Sequence, residues 1–177
     1  MEYSVRLADD GDVERLADLH LHSALTAYAH IFPPQAPKPT RTDLLAGWKA
    51  AVAAASTPAG PRVLVAQCGD EVVGVVMTAR DKGAPDVGHL SRFYVTPLKW
   101  GRGIGTRLYQ AAVDDLRRRG FGEATLWVLE MNTRARSWYE RLGWKATEER
   151  RTVFEPPPIV DVLYRLPDVV LRKPKTG

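Results

Sequence analysis

The sequence predicts an α/β fold in which helices flank one mixed β-sheet. Two β-branched runs, RVLVAQ and VVGVVMTAR, are separated only by CGDE, a spacing typical of a β-hairpin. Strands and helices alternate in the second half of the chain alone, which favours a mixed sheet over a purely parallel one. The segment TRLYQAAVDDLRRRG has the apolar spacing of a helix that packs on such a sheet.

The first elements of the chain can be assigned in order. YSVRLA alternates as a strand, and DDGDVERLADLHLHSALTAY follows as a helix that Asp9 or Asp10 can cap. IFPPQAPKP contains four prolines, which exclude a helix or a central strand, so we expect a surface loop. Thr40 to Asp43 has the spacing of a capping box and predicts a second helix through LLAGWKAAVAAA.

The remaining elements follow the predicted hairpin. GHLSRFYV is a third strand that leads into a glycine turn, and Gly120 suits the end of the helix after that turn. EATLWVL is a strand, NTRARSWYERLG a helix closed by Gly143, and WKATEERRTVF and VDVLYRL two final strands. The predicted order is therefore β-α-α-β-β-β-α-β-α-β-β.

Length and composition exclude several classes of protein. With 177 residues, of which 45% are hydrophobic, we expect one domain over residues 1–177. No apolar run approaches the roughly 20 residues of a membrane span, and no export signal is evident, so a cytoplasmic protein without membrane contact is expected. Cys68 is the only cysteine, which excludes an internal disulfide and a zinc cluster, and we expect no metal. The net charge of +4 is scattered rather than arranged in a basic stripe, so no nucleic-acid partner is expected.

The glycine turn GRGIGT lies between an apolar strand and a helix. Glycine lets the backbone approach a ligand closely, and free N–H groups at a helix N-terminus attract an anion. Arg102 would add a charged donor, so a phosphate or pyrophosphate is the expected ligand. The third glycine comes one residue too early for G-x-G-x-x-G, and no lysine follows as in G-x-x-x-x-G-K-[ST]. A tight helix entry without a ligand is the alternative.

Two neighbouring stretches carry a resemblance to a known family. LSRFYVTPLKWGRGIGTRL, followed by LWVLEMNTRARSWYERLGW, resembles the GNAT superfamily of acetyl-CoA-dependent N-acetyltransferases over about residues 88–146. The resemblance implies a mainly antiparallel sheet of about six or seven strands flanked by about four helices, with two strands splayed at the acyl-CoA site. Trp100 is a departure, because it occupies the Gln/Arg position of the family pattern [Q/R]-x-x-G-x-[G/A] and puts one polar contact to the cofactor in doubt.

The resemblance also implies which residues hold acetyl-CoA. Phe93 and Val95 would bond the pantetheine arm through their backbone, and an N–H group there would stabilise the thioester oxyanion; core packing is the alternative. Asn132 matches the family asparagine that meets this arm, with a helix N-cap as the alternative. The turn residues assigned to the cofactor are Trp100, Gly101, Arg102, Gly103, Ile104, Gly105 and Thr106.

Two residues are the predicted catalytic groups. Tyr139 matches the family tyrosine that protonates the departing thiolate, and with ordinary pKa values near 10 and 8.5 this transfer is not strongly uphill in water. A core aromatic is the alternative. His89 falls where some histone-type members carry a catalytic glutamate, and its ordinary pKa near 6.5 suits deprotonation of an ammonium. A structural or solvent-facing histidine is the alternative, and Asp86 and Glu130 are other candidate bases.

These residues together imply direct acetyl transfer from acetyl-CoA to a primary amine in a ternary complex. The alternative is a non-catalytic acyl-CoA-binding regulatory domain, which would keep the glycine turn without needing Tyr139. Family members often dimerise, which leaves a homodimer open.

The amine acceptor, a small molecule or a peptide, is expected near the first helices and the last hairpin. The candidate lining residues are Tyr28, His30 and Phe32, with Glu155 or Asp161 opposite.

Overall fold

The computed structural model describes residues 3–167. Its strands are β1 Ser4–Leu7, β2 Arg62–Cys68, β3 Glu71–Arg80, β4 Val87–Val95, β5 Glu123–Leu129, β6 Lys145–Phe154 and β7 Ile159–Leu166. Its helices are α1 Val13–Ala27, α2 Arg41–Ala54, α3 Ile104–Arg118 and α4 Thr133–Arg141, with short 3-10 turns at Asp10–Asp12 and Pro97–Lys99. This order of strands and α-helices is the one the sequence predicts.

The seven strands form one sheet in the order β1-β2-β3-β4-β5-β7-β6. Every neighbouring pair is antiparallel except β4 and β5, which run parallel. The prediction of a mainly antiparallel sheet of about six or seven strands with about four helices is thereby confirmed.

Two apolar layers cover the two faces of the sheet. On one face α3 packs so closely that a Cβ added to Gly74 of β3 would lie 2.8 Å from Leu108 Cδ1. On the other face α1 and α2 pack on β2 and β3 around the fully buried Trp48. On this face α1 and α2 lie over the first half of the sheet.

Local signals in the sequence set the ends of the helices. Asp9 accepts a hydrogen bond from the Gly11 N–H and begins the 3-10 turn ahead of α1, while Thr40 accepts one from the Asp43 N–H at the start of α2. Gly120 follows the end of α3 with φ +82°, a left-handed backbone conformation that favours glycine. No helix among residues 3–167 has both the length and the apolar character that crossing a bilayer requires.

Strand β4 contains a bulge that changes which face its side chains occupy. Val75 of β3 pairs with Tyr94, whereas Met77, two residues on, pairs with Ser91, three residues back. The extra residue is accommodated near Arg92, whose φ is +49°. Leu90 and Phe93 consequently both contact the α3 side of the sheet although three positions separate them.

A bidentate ion pair fastens β1 to the start of α1, and it gives a prediction for stability. Arg6 Nη1 and Nη2 lie 2.6 and 2.9 Å from the two oxygens of Asp12, which is 2% exposed. The hydrogen bond from Arg6 is the main reason that the pKa of Asp12 lies below its ordinary value. We expect Asp12→Asn to lower the free energy of unfolding by about 2 kcal/mol at neutral pH, because a buried charge-assisted bond is lost.

The pH dependence of this loss follows from the direction of the pKa shift. A folded-state pKa below the unfolded value of about 3.9 means that the stabilisation is complete above that value and is lost as the pH falls through the folded pKa. Urea unfolding at pH 7, 5 and 3 should therefore give a difference in the free energy of unfolding between wild type and variant, and this gap should be smaller at pH 3. Asp10→Asn, at an exposed neighbouring position, is the control, and a gap of equal size at all three pH values would contradict the assignment.

Candidate functional site

A cleft opens in the middle of the sheet, where β4 and β5 separate. The two strands pair only from Val87 to His89 on β4 and from Glu123 to Thr125 on β5. Beyond these pairs they diverge around a cleft of about 910 Å³. The predicted site residues that line it are Phe93, Val95, Trp100, Gly101, Gly103, Ile104, Gly105, Thr106, Asn132 and Tyr139.

The backbone of β4 presents polar groups to this cleft. Thr96 donates its N–H to Val73 of β3 at 2.9 Å, and backbone groups alternate in direction along a strand. The N–H and C=O groups of Val95 and the C=O of Phe93, which shares a peptide with the β3-paired Tyr94, therefore point away from β3, toward the gap where β5 has withdrawn. This is the arrangement expected for a ligand that pairs with the open edge of a strand.

Trp100 joins the glycine turn to the end of β4. Its indole Nε1 donates to the Val95 carbonyl at 2.7 Å, and the Arg134 guanidinium lies over its ring at 4.4 Å. The Val95 carbonyl is thus already bonded, which leaves the Val95 N–H and the Phe93 carbonyl for a ligand. Trp100 has a definite structural role at the position where the family pattern carries Gln or Arg.

The glycine turn has the backbone geometry of an anion site. Gly101 and Gly103 have φ +75° and +79°, and a Cβ added at either position would meet no protein atom within 4 Å. Gly103 is the N-cap of α3 and offers no side chain to the first N–H groups of the helix, which leaves them available to an anion. Arg134 and Arg141 line the same cleft and add positive charge, and Lys99 lines it while pairing with Glu71 at 3.6 Å.

Two of the predicted turn residues behave differently from the others. Ile104 is 1% exposed and its side chain belongs to the core, so it can offer a ligand only its backbone. Arg102 is exposed and is not among the residues that line the cleft. The structure thus gives Arg102 no contact within the cleft.

Asn132 has the capping role that was its alternative. Its side-chain oxygen accepts the Ala135 N–H at 3.2 Å and begins α4, while the residue also lines the cleft. A cap uses the amide oxygen, so the amide nitrogen can still donate to a ligand. The two roles are compatible.

Tyr139 lies on α4 and lines the cleft. It is 7% exposed and packs edge-on against Trp144, and its neighbour Trp138 stacks on Phe93 at 5.4 Å between ring centroids. Burial raises the pKa of the Tyr139 phenol far above its ordinary value, with smaller contributions from nearby Tyr28 and Tyr109. The phenol therefore stays protonated at neutral pH and is available as a hydrogen-bond donor.

His89 lies where β4 and β5 are still paired, outside the residues that line the cleft. Thr125 donates its hydroxyl proton to Asp81 at 2.6 Å, so Thr125 Oγ1 accepts from His89 Nδ1 at 2.9 Å. Burial lowers the pKa of His89, and Asp81 opposes this shift without reversing it. The structure gives His89 a place in a polar network at the junction of the two strands, and this position does not by itself support a role as the base.

The other candidate bases are engaged elsewhere or exposed. Glu130 pairs with Arg150 at 3.0 Å, and Asp86 lies exposed in the loop before β4. Asp161, a candidate for the acceptor side rather than a base, pairs with Arg151 at 2.7 Å. Cys68 ends β2 and lines a separate groove.

On the expected acceptor side, two of the three candidate residues line the cleft. Tyr28 and His30 do so, whereas Phe32 packs near Phe154 with ring centroids 6.4 Å apart. Glu155 is exposed in the turn between β6 and β7.

The structure adds Arg92 and Tyr94, which the sequence analysis did not single out. Both line the cleft from β4. The available signal was an arginine inside the apolar run LSRFYV, at a position that a regular alternation assigns to the same face as Leu90. The bulge cancels that alternation.

Comparison with known proteins gives this cleft a family. The family model described as Acetyltransferase (GNAT) family matches residues 21–144, which include α2, α3, α4 and both walls of the cleft. The chain belongs to the GNAT acetyltransferase family. The resemblance seen in the glycine turn and in the segment around Tyr139 is thereby confirmed.

Individual relatives of this GNAT acetyltransferase are distant. It is 34% identical over 82 residues to N-alpha-acetyltransferase 30 of Schizosaccharomyces pombe, a match that covers 45% of this chain and 55% of that protein. The chain thus spans about half the length of this curated relative.

Solved structures share the fold of this GNAT acetyltransferase. The paia N-acetyltransferase of Thermoplasma acidophilum, determined in complex with coenzyme A, is 17% identical with a TM-score of 0.73, over 94% of this chain and 99% of that one. For yncA of Salmonella typhimurium, determined with its cofactor acetyl-CoA, the values are 18% and 0.72, over 100% of both chains. The ribosomal-protein-S18-alanine N-acetyltransferase of Escherichia coli is 16% identical with a TM-score of 0.68, over 99% of both. At these identities the likeness concerns the fold alone.

Proposed function

We propose that this protein transfers an acetyl group from acetyl-CoA to a primary amine by direct attack in a ternary complex. One observation carries the proposal: β4 and β5 separate after three residue pairs, which turns the backbone of Phe93 and Val95 toward a cleft bordered by an uncapped helix N-terminus. An extended acyl chain with a pyrophosphate at one end suits both features.

The residues present fit acetyl-CoA at each end. The open space beyond Gly101 and Gly103 and the first N–H groups of α3 suit the pyrophosphate, with Lys99, Arg134 and Arg141 nearby. The free backbone groups of Phe93 and Val95 suit the amide-bearing pantetheine arm, and the Asn132 amide can add a donor. Two neighbours of the same fold were determined with coenzyme A and with acetyl-CoA, which is consistent with this use of the cleft.

In the proposed reaction, acetyl-CoA supplies a thioester that the free amine attacks directly. The unpaired N–H of Val95 stabilises the negative charge that develops on the thioester oxygen. As the C–S bond breaks, Tyr139 donates its phenolic proton to the departing sulfur, and the second proton lost by the attacking nitrogen returns through water to the phenolate. In water the transfer to sulfur would be close to balanced, whereas burial makes the phenolate costly. The same burial disfavours a thiolate at that place, so the two effects offset each other.

The removal of a proton from the incoming ammonium is proposed to run through water. Holding both substrates in one cleft supplies much of the rate by proximity, and the base then needs only contact with solvent. His89 stays a candidate base that acts through such water, because its Nδ1 proton is held by Thr125 and its Nε2 is free to accept.

The proposal is tested by following thiol release from acetyl-CoA across amino acids, polyamines, aminoglycosides and peptides with free N-termini or lysines. Release stimulated by one of these classes supports amine acetylation. Tight binding of acetyl-CoA in calorimetry, without stimulated release by any class, would favour the non-catalytic acyl-CoA-binding alternative.

Trp100 provides a specific test of the cofactor side. We expect Trp100→Phe to raise the KM for acetyl-CoA about threefold to tenfold, because the bond that fixes the end of β4 against the turn, worth about 1 kcal/mol, is lost. kcat should change less, since Tyr139 lies on another element. Steady-state kinetics measures both constants, and thermal unfolding checks the fold. A KM equal to that of the wild type would show that this bond does not shape the cofactor site.

A further inference from the structure

The Arg92 guanidinium is a cation without a counter-charge in the wall of the cleft. Arg92 is half-buried and donates Nη1 to the Gly47 carbonyl of α2 at 3.1 Å. Its Cζ lies 4.8 Å from the centre of the Trp48 ring. Among residues 3–167 no carboxylate lies within 4.0 Å of it. By contrast, five other arginines each have a carboxylate oxygen at 3.0 Å or less: Arg6, Arg41, Arg117, Arg150 and Arg151.

The bulge in β4 is what directs Arg92 to this place. In a regular strand Arg92 would share the face of Leu90, which contacts the α3 side of the sheet. Instead it reaches Gly47 and Trp48 on the α2 side. Arg92 is the only non-glycine residue with positive φ in the part of the chain that the structure describes. Such a backbone is unfavourable for a residue with a side chain, and it recurs at functional sites.

The neighbours of Arg92 do not neutralise it. His20 stacks on Tyr94 with centroids 4.1 Å apart, and its pKa is lowered to about 4, chiefly by burial and then by Arg92. His20 is therefore neutral at pH 7 and carries no charge of either sign. Asp161 on β7 is already paired with Arg151 at 2.7 Å.

The remaining donors of Arg92 are suited to a carboxylate. The central carbon of the guanidinium lies over the Trp48 ring, and its N–H groups lie in the guanidinium plane and point outward from its edge. Nη1 is used by Gly47, and no bond within residues 3–167 uses Nε or Nη2. That edge offers two parallel N–H donors, the geometry that binds both oxygens of a carboxylate.

We propose that Arg92 binds a carboxylate carried by the amine acceptor. The inference rests on the proposed acetylation of amines and names the class of acceptor: an amine with a carboxylate on the same molecule. Arg92 reaches the sheet face of α1 and α2, whereas the glycine turn begins α3 on the opposite face. The anionic groups of the two substrates therefore occupy separate sites, and the acceptor amine approaches from the α1–α2 side.

The first test compares acceptors that differ only in this charge. Small acceptors are α-amino acids and their amides; peptide acceptors carry Asp or Asn as the second residue. We expect kcat/KM of the wild type to favour the carboxylate over its neutral partner by about tenfold to a hundredfold in one of these two sets, which also tells a small acceptor from a peptide.

Arg92→Met should bring this ratio to about one. Arg80→Met is the matched control, since Arg80 lies over the Phe121 ring at 5.9 Å and is outside the cleft lining, and it should keep the wild-type ratio. A wild-type ratio near one in both sets, or a preference that survives in Arg92→Met, would overturn the proposal.

A second test does not depend on turnover. The indole N–H signal of Trp48, assigned with Trp48→Phe, is followed by NMR during titration with N-acetyl-L-alanine or N-acetyl-L-alaninamide. A shift with the carboxylate alone that disappears in Arg92→Met supports the site even if no acceptor in the panel is acetylated. The absence of any carboxylate-specific shift at millimolar concentration overturns it, whether or not the protein acetylates amines.

Discussion

Replacement of Tyr139 by phenylalanine is expected to lower kcat by about a hundredfold to ten-thousandfold, the range that proton donation by a positioned side chain contributes. The ring packs against Trp138 and Trp144, and phenylalanine keeps these contacts, so the fold and the affinity for acetyl-CoA should be retained. Because burial raises the pKa of the phenol, its ionisation should not cause a loss of activity at moderately alkaline pH. Thiol release measures kcat, and calorimetry measures the affinity for acetyl-CoA.

Tyr164→Phe is the matched control for this experiment. The Tyr164 hydroxyl accepts from Arg136 Nε at 2.9 Å and donates to Glu140 at 2.7 Å, so it anchors the helix that carries Tyr139 from outside the cleft. We expect this variant to lose about 1 kcal/mol of stability while keeping kcat within about twofold. If Tyr164→Phe lowered kcat as much as Tyr139→Phe, displacement of α4 would explain both effects. Full activity of Tyr139→Phe would remove Tyr139 from the proton donors.

Gly103→Ala is expected to weaken acetyl-CoA binding by about tenfold to a hundredfold. The added Cβ would meet no protein atom within 4 Å, and it would stand at the N-cap of α3, beside the N–H groups proposed to bind the pyrophosphate. Loss of one charge-assisted backbone contact is worth about 1.5–3 kcal/mol, which corresponds to this change in affinity. Calorimetric titration of acetyl-CoA into both proteins gives the comparison.

Gly120→Ala supplies a control at the other end of the same helix. Gly120 has nearly the same backbone, φ +82° against +79°, and a Cβ there also meets nothing within 4 Å. Both substitutions should lower the free energy of unfolding by about 1 kcal/mol, the usual penalty for a side chain in this conformation. Only Gly103→Ala should affect binding. Equal affinities in the two variants would show that the N-terminus of α3 does not hold the pyrophosphate.

Much of the fold was predictable because its signals are local. The β-branched runs around CGDE predict the β2–β3 hairpin, Thr40 predicts the start of α2, and Gly120 predicts the end of α3. Tyr139 and the turn from Gly101 to Thr106 belong to the two neighbouring stretches that carry the family resemblance, and the residues within each stretch have a fixed spacing. Their meeting in one cleft therefore followed from the family resemblance.

The features that escaped prediction depend on contacts between distant segments. Whether His89 faces the cleft depends on the residue at which β4 and β5 part, and that point is set by the packing of whole strands. The direction of Arg92 depends on a bulge that no residue type announces, and the bond from Trp100 to Val95 depends on how the turn folds back. Each of these is set by the three-dimensional packing of the chain and not by a local run of residues.

Because β4 and β5 pair over so short a length, the sheet consists of two parts that are joined at one narrow junction. Four strands lie on one side and three on the other, and only three residue pairs join them. The network of His89, Thr125 and Asp81 lies at this junction and links β4 to β5 by hydrogen bonds. A ligand that bound across the gap would connect the two parts of the sheet and make the whole sheet more rigid. Binding of the ligand would then also stabilise the sheet. Without the ligand, the protein would be most flexible between β4 and β5, where the reaction is proposed to take place.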